Sequence, residues 1–596
     1  GAQILDDTTK QVYGPETSSY FHQQDVEYGE IQKYNPDTTI NSIHRYSWLT
    51  RNDNFYQELG NYGTALYPVF YRPNREIGTT YGINIYDGYY LEPSKLRYYD
   101  TRSPFSELSY IQGANNFVNL KGEFSRNVNE QFNITFGVDR IISDKAIANI
   151  GRDRLVNHWV FHTSSNFRSK NNRYLALYSF SHMNHFVEEQ GGIRPLQSDR
   201  IPEDLYLYQS ANVWLNDAYT WERRNNHHIY QHFRIIPDTI GDFKVFHEFD
   251  RINVKSEFSD ENLADSDTFY NFTYYENPNI SKYRFQYTRY ENKMGISGKV
   301  RQTYSYKAYY KIRNFYSNLE NEWAQENFVG GEMAQQIKIG KDTFEARAAG
   351  ELEIVGNYKL DFSLKDKFIY ARYMKLEYSP TIISQRFKSN SFLWNNNFGN
   401  TRSDNFEGGL NFKIGKQFIR PEINWTAIRN HIYYDEAAMP TQNSNNVSLY
   451  GLGAKTRFNF WKMHFVGKYR WSFSDGPDIF RFPEHFAQGM IYFETRITRG
   501  KAAIQFGFEA FYRSAYRGMA YKTAIFNYHL QNDFLMPDAF VPDVFVNFQF
   551  RKAQAFIKVP YFIQGWAVPG YFSSPYYTGI ERPDALSLGF RWQFYD

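Results

Sequence analysis

Cysteine is absent from this chain of 596 residues, which excludes disulfides, thiol catalysis and cysteine-ligated metal sites. There is also no run of about 18 or more apolar residues, so we expect no membrane-spanning helix. The net charge is only +3, because 67 basic residues nearly balance 64 acidic ones. This balance gives no reason to expect a nucleic-acid partner. Proline is scarce, at 21 residues, as long uninterrupted strands require.

Aromatic side chains are abundant, although the chain is polar on average. There are 51 tyrosines and 53 phenylalanines, and aromatic residues make up 19% of the chain. The mean hydropathy is nevertheless -0.64. This combination is typical of strands with one apolar face and one wet face, because successive side chains of a strand point to opposite sides.

Apolar and polar residues alternate along most of the chain. Examples are QFNITFGVD (131–139), NYKLDFSLK (357–365), YGLGAKTRFNF (450–460) and HFVGKYRWSF (464–473). A period of two over about ten residues is the pattern of a membrane β-strand, whose polar face lines a lumen while its apolar face meets lipid. The residues that we predict to line the lumen are Asn133, Thr135, Asp139, Lys359, Asp361, Lys455, Arg457, Lys468, Arg470, Arg591 and Gln593.

The final stretch, LSLGFRWQFYD (586–596), carries a large apolar residue at every second position. Chain ends are usually frayed and polar, so this stretch is built to bury an apolar face. We predict a strand that closes a barrel, because only closed barrels satisfy every backbone group of strands in lipid. Its lipid-facing residues are predicted to be Leu586, Leu588, Phe590, Trp592 and Phe594.

The sequence therefore predicts an all-β fold, a large antiparallel transmembrane β-barrel in the outer membrane. Residues 1–75 are polar and irregular, with little alternation before TTYGINIY (79–86), and we expect a periplasmic or lumenal N-terminal segment there. Residues 76–596 are expected to form the barrel. At about 24 residues for a strand and its connector, they predict about 22 strands, within a range of about 18 to 26.

No motif for catalysis or cofactor binding emerges, so we expect neither an enzyme nor a cofactor. No serine stands in a nucleophile-elbow context. His228 and His232 would share a strand face about 13 Å apart, too far for one small ion, so we expect no metal there. Calcium on Asp260, Asp265 and Asp267 is an alternative to a solvated acidic loop, although the glycine and spacing of an EF-hand loop are missing.

Four stretches are similar to the putative porin family of Bacteroidota outer membranes. They are RYSWLTRNDNFYQELGNYGTALYPVF (45–70), RYYDTRSPFSELSYIQG (97–113), SSNFRSKNNRYLALYSFSH (164–182) and the ending YFSSPYYTGIERPDALSLGFRWQFYD (571–596). The resemblance covers both ends of the chain, and the middle matches loosely. It implies an integral protein of the cell outer membrane and, by the family's name, a channel.

Two functions follow as hypotheses, and both place the chain among outer-membrane lipid and lipopolysaccharide. The first is a passive diffusion channel for small hydrophilic solutes, since about 22 strands enclose a wide lumen. The basic bias late in the chain would then favour anions; the alternative is an interior whose charges pair with each other. The second is a plugged structural barrel, with protein partners in a complex for barrel assembly, secretion or uptake. A secreted soluble β protein such as an adhesin is a third, weaker alternative.

Overall fold

Twenty-two antiparallel strands close into a barrel, which confirms the predicted fold class and strand number. The computed structural model describes residues 14–29, 31–148, 153–194, 211–236, 241–263, 269–270, 274–301, 303–339, 342–497, 502–579 and 586–595. Among these residues, no helix is both long and apolar enough to cross a membrane.

The barrel strands are numbered β1 to β22 in chain order. The first eleven are Phe105–Gln112 (β1), Val118–Asn129 (β2), Phe132–Asp144 (β3), Arg154–Arg168 (β4), Tyr174–Glu189 (β5), Ala218–Ile236 (β6), Gly241–Asp260 (β7), Ser281–Val300 (β8), Tyr304–Ser317 (β9), Glu322–Ile339 (β10) and Asp342–Glu353 (β11). The others are Tyr358–Lys365 (β12), Ile369–Tyr378 (β13), Thr401–Leu410 (β14, continued by Phe412–Ile414), Gln417–Arg429 (β15), Val447–Phe460 (β16), Met463–Asp475 (β17), His485–Ile497 (β18), Ala502–Arg513 (β19), Ala539–Phe550 (β20), Ala553–Val559 (β21) and Ser587–Phe594 (β22).

The C-terminal strand closes the barrel, because β22 pairs with β1. Phe590 lies opposite Tyr110 in this pairing, and Trp592 lies opposite Leu108. Short turns lie at the end of the barrel where β1 begins and β22 ends, while most connectors at the other end are longer. In outer-membrane barrels, the short turns face the periplasm and the long connectors face outwards.

Alternate side chains of the strands divide into a buried inner set and an exposed outer set. On β3, Phe136 and Val138 each expose 42% of their surface, while Asn133 and Thr135 are buried. The same division holds at the C-terminus, where Gln593 is buried. The exposed fractions of the predicted lipid-facing residues are 56% for Leu586, 43% for Leu588, 36% for Phe590 and 44% for Trp592, and Phe594 is partly exposed.

The other helices and strands are short. Before the barrel they comprise Pro15–Thr17, Asp87–Tyr89 and Pro93–Lys95 (3-10 helices), Gln24–Glu27 and Trp48–Arg51 (α-helices), and the paired strands Ser18–Phe21 with Tyr98–Thr101 and Tyr56–Gln57 with Tyr67–Pro68. Within connectors they comprise the α-helix Ile382–Gln385, the 3-10 helix Thr523–Ile525, and the paired strands Arg386–Lys388 with Leu393–Asn395, His431–Tyr434 with Pro440–Asn443, Ala520–Lys522 with Asn527–His529, and Phe572–Ser574 with Tyr577–Thr578.

The described residues 14–29 and 31–104 lie inside the barrel, and we call them the plug. The first barrel strand begins at Phe105, so the expected boundary after residue 75 falls about 30 residues too early. The alternation that suggested a strand at 79–86 has another cause. Tyr81, Ile83 and Ile85 are buried in the hydrophobic core within the barrel, because this extended stretch packs on the inner wall and connectors instead of meeting lipid.

Candidate functional site

Glu76 of the plug is held by two arginines of the barrel wall. Its carboxylate lies 2.8 Å from Arg289 of β8 and 3.7 Å from Arg313 of β9. Arg289 lowers the pKa of Glu76 to about 2, because the guanidinium favours the charged carboxylate. Arg313 is buried and also contacts Glu291 and Glu326, at 2.9 and 3.4 Å. The plug and strands β8 to β10 therefore share one ionic network.

Asp87 forms a second ionic contact between the plug and the wall. Its carboxylate accepts a hydrogen bond from Arg224 of β6 at 2.6 Å, and Arg224 also donates to Glu222 at 2.6 Å. Ser256 of β7 donates to Glu222 at 2.9 Å. Because Arg224 and Glu222 are buried, loss of one partner would leave an unpaired charge inside the protein.

His44 and Arg45 of the plug converge on Glu509 of β19. The carboxylate lies 2.9 Å from His44 Nε2 and 2.5 Å from Arg45. The His44 ring stacks on Phe545 of β20 with 3.7 Å between centroids, and the amide of Asn547 donates to its Nδ1 at 3.0 Å. Burial lowers the pKa of His44, so its imidazole is neutral at pH 7.

The first described part of the plug is bound to β7 through its backbone. The ammonium of Lys244 is fully buried and donates to the carbonyls of Val26 and Gly29, at 3.0 and 3.2 Å. Asp242 accepts a hydrogen bond from the amide of Gly29 at 3.1 Å. These bonds fix the path of the plug backbone beside β7.

The connector between β19 and β20 folds over the plug, and we call its residues 514–538 the lid. Tyr528 of the lid donates to the carbonyl of Ala65 at 2.9 Å. In the other direction, Gln57 of the plug donates to the carbonyl of Met519 at 2.8 Å. Lid and plug also share the hydrophobic core. The lid therefore covers the plug on the side of the long connectors.

A short helix in the connector between β13 and β14 also binds the plug. It spans Ile382–Gln385, and its first amide groups have no partner within the helix. Instead, Ile382 donates to the carbonyl of Thr80 at 2.9 Å, and Ile383 donates to that of Tyr81 at 3.3 Å. A second connector thus holds the plug from the outer side.

The inner faces of β11 to β16 are more exposed to solvent, and we call them the open wall. Arg347, Arg372 and Lys455 expose 51%, 40% and 38% of their side chains. They pair with carboxylates of the wall: Arg372 lies 2.5 Å from Asp361, and Lys455 lies 2.8 Å from Glu422. Exposed pairs of this kind contribute at most about 1 kcal/mol. The open wall is a charged, solvent-accessible surface along the lumen.

Two of the predicted lumen residues contact the plug through side chains. The ammonium of Lys468 lies 2.9 Å from the carboxylate of Asp53. The guanidinium of Arg470 lies 4.4 Å from the ring centroid of Phe70. These cations attract a carboxylate and an aromatic face of the plug, so in this closed structure they fasten the plug.

Three more predicted lumen residues bind backbone carbonyls of the plug. Lys359 donates to the carbonyl of Arg75 at 2.8 Å. Arg591 and Gln593, which are neighbours on β22, donate to the carbonyl of Asp37 at 2.8 and 3.1 Å. The plug is therefore attached to the strand that closes the barrel as well as to the middle of the chain.

The other predicted lumen residues contact the barrel wall. Asn133 and Thr135 share Ser125 as a hydrogen-bond partner, at 3.1 and 3.0 Å, and Asp139 lies 2.6 Å from Lys121. Asp361 and Lys455 belong to the ion pairs of the open wall, and Arg457 lies opposite Phe418 on the same wall. Many of the predicted charges thus pair with each other or with the plug, and their role in solute passage stays a prediction.

The histidine and calcium candidates are not brought together into a cluster. His228 faces the lumen and bonds to Asp250 at 2.8 Å, whereas His227 lies on the outer face. Asp265 and Asp267 lie outside the described residues. Among the residues that are described, no three of the types His, Asp and Glu lie close enough to hold a metal ion.

Sequence reasoning missed the residues that hold the plug. Glu76 and Arg289 are 213 positions apart, Asp87 and Arg224 are 137 apart, and His44 and Glu509 are 465 apart. No local pattern links such partners. One signal was available: the alternation at 79–86 stands alone before the regular strands, as a stretch packed inside the barrel would.

Several solved outer-membrane proteins share this fold at low sequence identity. The FrpB iron transporter from Neisseria meningitidis (F3-3 variant) is 11% identical, with a TM-score of 0.57 over 83% of this chain and 82% of that chain. The copper transporter OprC is 8% identical, with a TM-score of 0.63 over 90% and 93%. The ferric-catecholate import receptor Fiu from E. coli K12, in its closed form, is 11% identical, with a TM-score of 0.56 over 91% and 92%. At these identities the likeness shows the fold alone.

A search of curated proteins finds no match to this chain. By contrast, the sequence model of a family described as putative porin matches residues 18–596. The match begins at the first strand of the plug and runs to the end of the barrel, so plug and barrel both belong to the family's pattern. The protein is an integral protein of the outer membrane, and the chain belongs to the putative porin family.

Proposed function

We propose that this protein is an outer-membrane transport barrel that is closed at rest. Small hydrophilic solutes pass along the open wall when the plug and lid shift. The observation that carries the proposal is the contrast within the lumen, where a tightly held plug stands beside a solvent-accessible wall rich in charge. A purely structural interior would gain little from exposed ion pairs, because each contributes at most about 1 kcal/mol.

The fold neighbours support uptake as the direction of transport. Their names describe an iron transporter, a copper transporter and a ferric-catecholate import receptor. Their identity to this chain is too low to carry over a substrate. A permanently open channel of the width that 22 strands allow is less compatible with the packed plug and lid. Passive diffusion therefore requires an opening step in this proposal.

The charges of the open wall suggest which solutes the path admits. Basic residues such as Arg372 and Lys455 stand next to carboxylates such as Asp361 and Glu422. Alternating signs favour small polar and zwitterionic solutes, because no long stretch of one charge repels them. The excess of Lys and Arg late in the chain adds a mild preference for anions.

An engineered disulfide between plug and wall tests the proposal. Asn61 of the plug and Ser143 of β3 are chosen because their side chains are in contact, with Nδ2 and Oγ 3.4 Å apart. The chain has no native cysteine, so Asn61→Cys with Ser143→Cys creates a single possible bridge. Formation of the bridge is confirmed by mass spectrometry, and solute flux into proteoliposomes is measured before and after reduction.

We expect the reduced double variant to pass small solutes and the oxidised form to block them. Asn61→Cys alone is the control, and its flux should not respond to oxidation. Equal flux in the oxidised and reduced double variant would show that the plug need not move for transport.

The second candidate is the structural barrel in a larger outer-membrane complex, which the filled lumen favours. It predicts no flux in either redox state, together with recovery of the barrel in a complex of fixed stoichiometry from mild detergent. Flux through the purified chain, with no partner present, would contradict it.

A further inference from the structure

The outer wall of the barrel carries a cluster of unpaired cations on β6 and β7. Arg223 and Lys255 lie directly opposite each other in the pairing of these strands, and Arg251 lies opposite His227 on the same face. Among the described residues, no carboxylate lies within salt-bridge distance of Arg223, Arg251 or Lys255. We call these three residues the outer cation cluster.

Like charges directly opposite each other on a sheet are destabilising, so the pairing of Arg223 with Lys255 requires an explanation. The Nε atom of Arg223 is also buried and has no hydrogen-bond partner. A buried donor that stays unsatisfied costs about 1–3 kcal/mol. An anion bound between the two side chains would remove both penalties.

Aromatic rings flank the cluster and hold the guanidinium groups over their faces. Arg223 lies 5.4 Å from the ring centroid of Trp221, and Arg251 lies 5.7 Å from that of Tyr290. Such contacts orient the cations without neutralising them. Glu257 lies on the same face, two positions from Lys255, and is taken by Arg284 and by Lys282, the latter at 3.6 Å. The local field is therefore strongly positive.

The height of the cluster on the barrel points to lipid headgroups. The lipid band of an outer-membrane barrel is about 25 Å tall, which a strand tilted by about 40° crosses in about ten residues. The band begins near the short turn after Ile236, where Phe233 and Ile235 each expose 48% of their surface. The band ends about ten residues earlier in β6. Arg223 lies just beyond that point, on the side of the long connectors.

We propose that the outer cation cluster binds the phosphate groups of a phosphorylated glycolipid in the outer leaflet. Arginine suits this role because its planar guanidinium binds phosphate oxygens in pairs. The acyl chains of the same lipid then lie against the apolar band below, where Val245 and Met294 expose 45% and 56% of their surface. The site lies on the outer face, so it is independent of transport through the lumen.

Binding of lipid A to the full-length detergent-solubilised chain tests this assignment. The triple variant Arg223→Gln, Arg251→Gln, Lys255→Gln removes the cluster. A matched control is Lys375→Gln with Arg402→Gln, because these outer-face cations are already near wall carboxylates, Asp404 at 3.8 Å and Glu377 at 2.9 Å. Native mass spectrometry measures the affinity for bisphosphorylated and for dephosphorylated lipid A.

We expect the triple variant to bind bisphosphorylated lipid A about tenfold or more weakly, since several charge-assisted hydrogen bonds are lost. The control should stay within about twofold, and the native chain should bind dephosphorylated lipid A weakly. Arg251→Gln alone, at an exposed position, keeps the test valid if the triple variant fails to fold, and it should show a smaller loss of the same sign.

Two results would overturn the proposal. Equal binding of bisphosphorylated lipid A by the native chain and the triple variant would mean that the cluster does not recognise phosphate. Full displacement of the lipid by millimolar inorganic phosphate, with no contribution from the acyl chains, would assign the cluster to a free phosphate ion instead of a lipid.

Discussion

The inner wall of the barrel has two unlike sides built from the same residue types. On β6 and β9, Arg224 and Arg313 expose only 9% and 2% of their side chains and contact the plug. On the open wall, Arg347 and Arg372 expose 51% and 40% and contact carboxylates of the wall. Inward-facing charge in a strand therefore does not by itself mark a solute path. Burial by the plug separates fastening residues from accessible ones.

The difference has an energetic consequence for the opening step that we propose. Breaking a buried ionic network leaves uncompensated charge and costs several kcal/mol, whereas an exposed pair contributes at most about 1 kcal/mol. On this side Asp87 and Glu76 of the plug are half exposed, but they bind the buried wall cations Arg224 and Arg313, and through these cations they anchor the plug. The side facing the open wall is where displacement of the plug costs least.

Arg313→Met is the change for which we expect the largest loss of unfolding free energy. This change leaves Glu291 and Glu326 without their shared cation in a buried setting, so we expect a loss of about 3–5 kcal/mol in unfolding free energy. The matched change on the open wall, Arg347→Met, removes an exposed partner of Glu332 and should cost at most about 1 kcal/mol. Urea unfolding in liposomes measures both. Similar losses would mean that the two sides do not differ.

Two glycines, one in the plug and one in a wall connector, test how closely the plug packs against its surroundings. Gly82 of the plug has φ +101°, and a Cβ there would lie 2.6 Å from Ile383 and 2.7 Å from Thr381 of the connector that holds it. Gly356, between β11 and β12, has φ +128° and nothing within 4 Å of an added Cβ. Both substitutions to Ala strain the backbone, and only Gly82→Ala also overpacks.

We expect Gly82→Ala to lower the unfolding free energy by about 1–3 kcal/mol more than Gly356→Ala, because overpacking adds to the shared strain. The same urea titration gives both values. If the two variants lose equal stability, the plug does not fit closely under the helix at Ile382–Gln385.

The sequence pattern was sufficient to predict the barrel, because the two faces of each strand differ in polarity within the strand's own sequence. Alternation identified the inner and outer sets, and the spacing of strands and connectors predicted about 22 strands. Alternation does not show whether the apolar face of an extended segment meets lipid or packs against other parts of the protein. Tyr81 and Ile83 therefore looked like part of a barrel strand, although they pack inside the lumen.

The candidate site was less accessible to prediction, because its contacts join distant parts of the chain. Lys468 and Arg470 were recognisable as inward-facing from their own strand. Their partners Asp53 and Phe70 lie in the plug, about 400 positions earlier. Height along a strand was equally hidden, since Arg223 and Phe233 share the outer face of β6 but lie at different levels relative to lipid.

Acid should loosen the long connectors while the contact of Glu76 with the barrel wall persists. Burial lowers the pKa values of His431 and His529, both in connectors, to about 4. Because these values lie below that of an unfolded histidine, the stability they contribute is complete above about pH 6.5 and is lost as pH falls towards about 4. Glu76 has a pKa of about 2, so its contribution persists down to about pH 4.5 and is lost only below that.

At pH 4.5 we therefore expect faster proteolysis of the connectors, while the ion pair of Glu76 with Arg289 persists. Protonation of each histidine should lower the stability of its connector by at most about 3 kcal/mol, at about 1.4 kcal/mol for one pKa unit. The double variant His431→Gln, His529→Gln is the control, and its connector cleavage should depend less on pH. Cleavage that is independent of pH in the native chain would contradict this prediction.

The smallest expected effect is on ion selectivity, and it separates the two sides directly. Lys455→Glu reverses an exposed charge of the open wall that lies 2.8 Å from Glu422, so in conducting proteoliposomes it should shift the ratio of anion to cation permeability by about twofold towards cations. Lys468→Glu reverses a charge bound to Asp53 of the plug, so it should raise the fraction of open barrels instead, because two carboxylates then repel each other across that contact. Reversal potentials report the first change and the frequency of conductance steps reports the second. If Lys455→Glu left the reversal potential unchanged while Lys468→Glu moved it, the solute path would have to run beside β17 and the plug, and the open wall would be only a solvated surface.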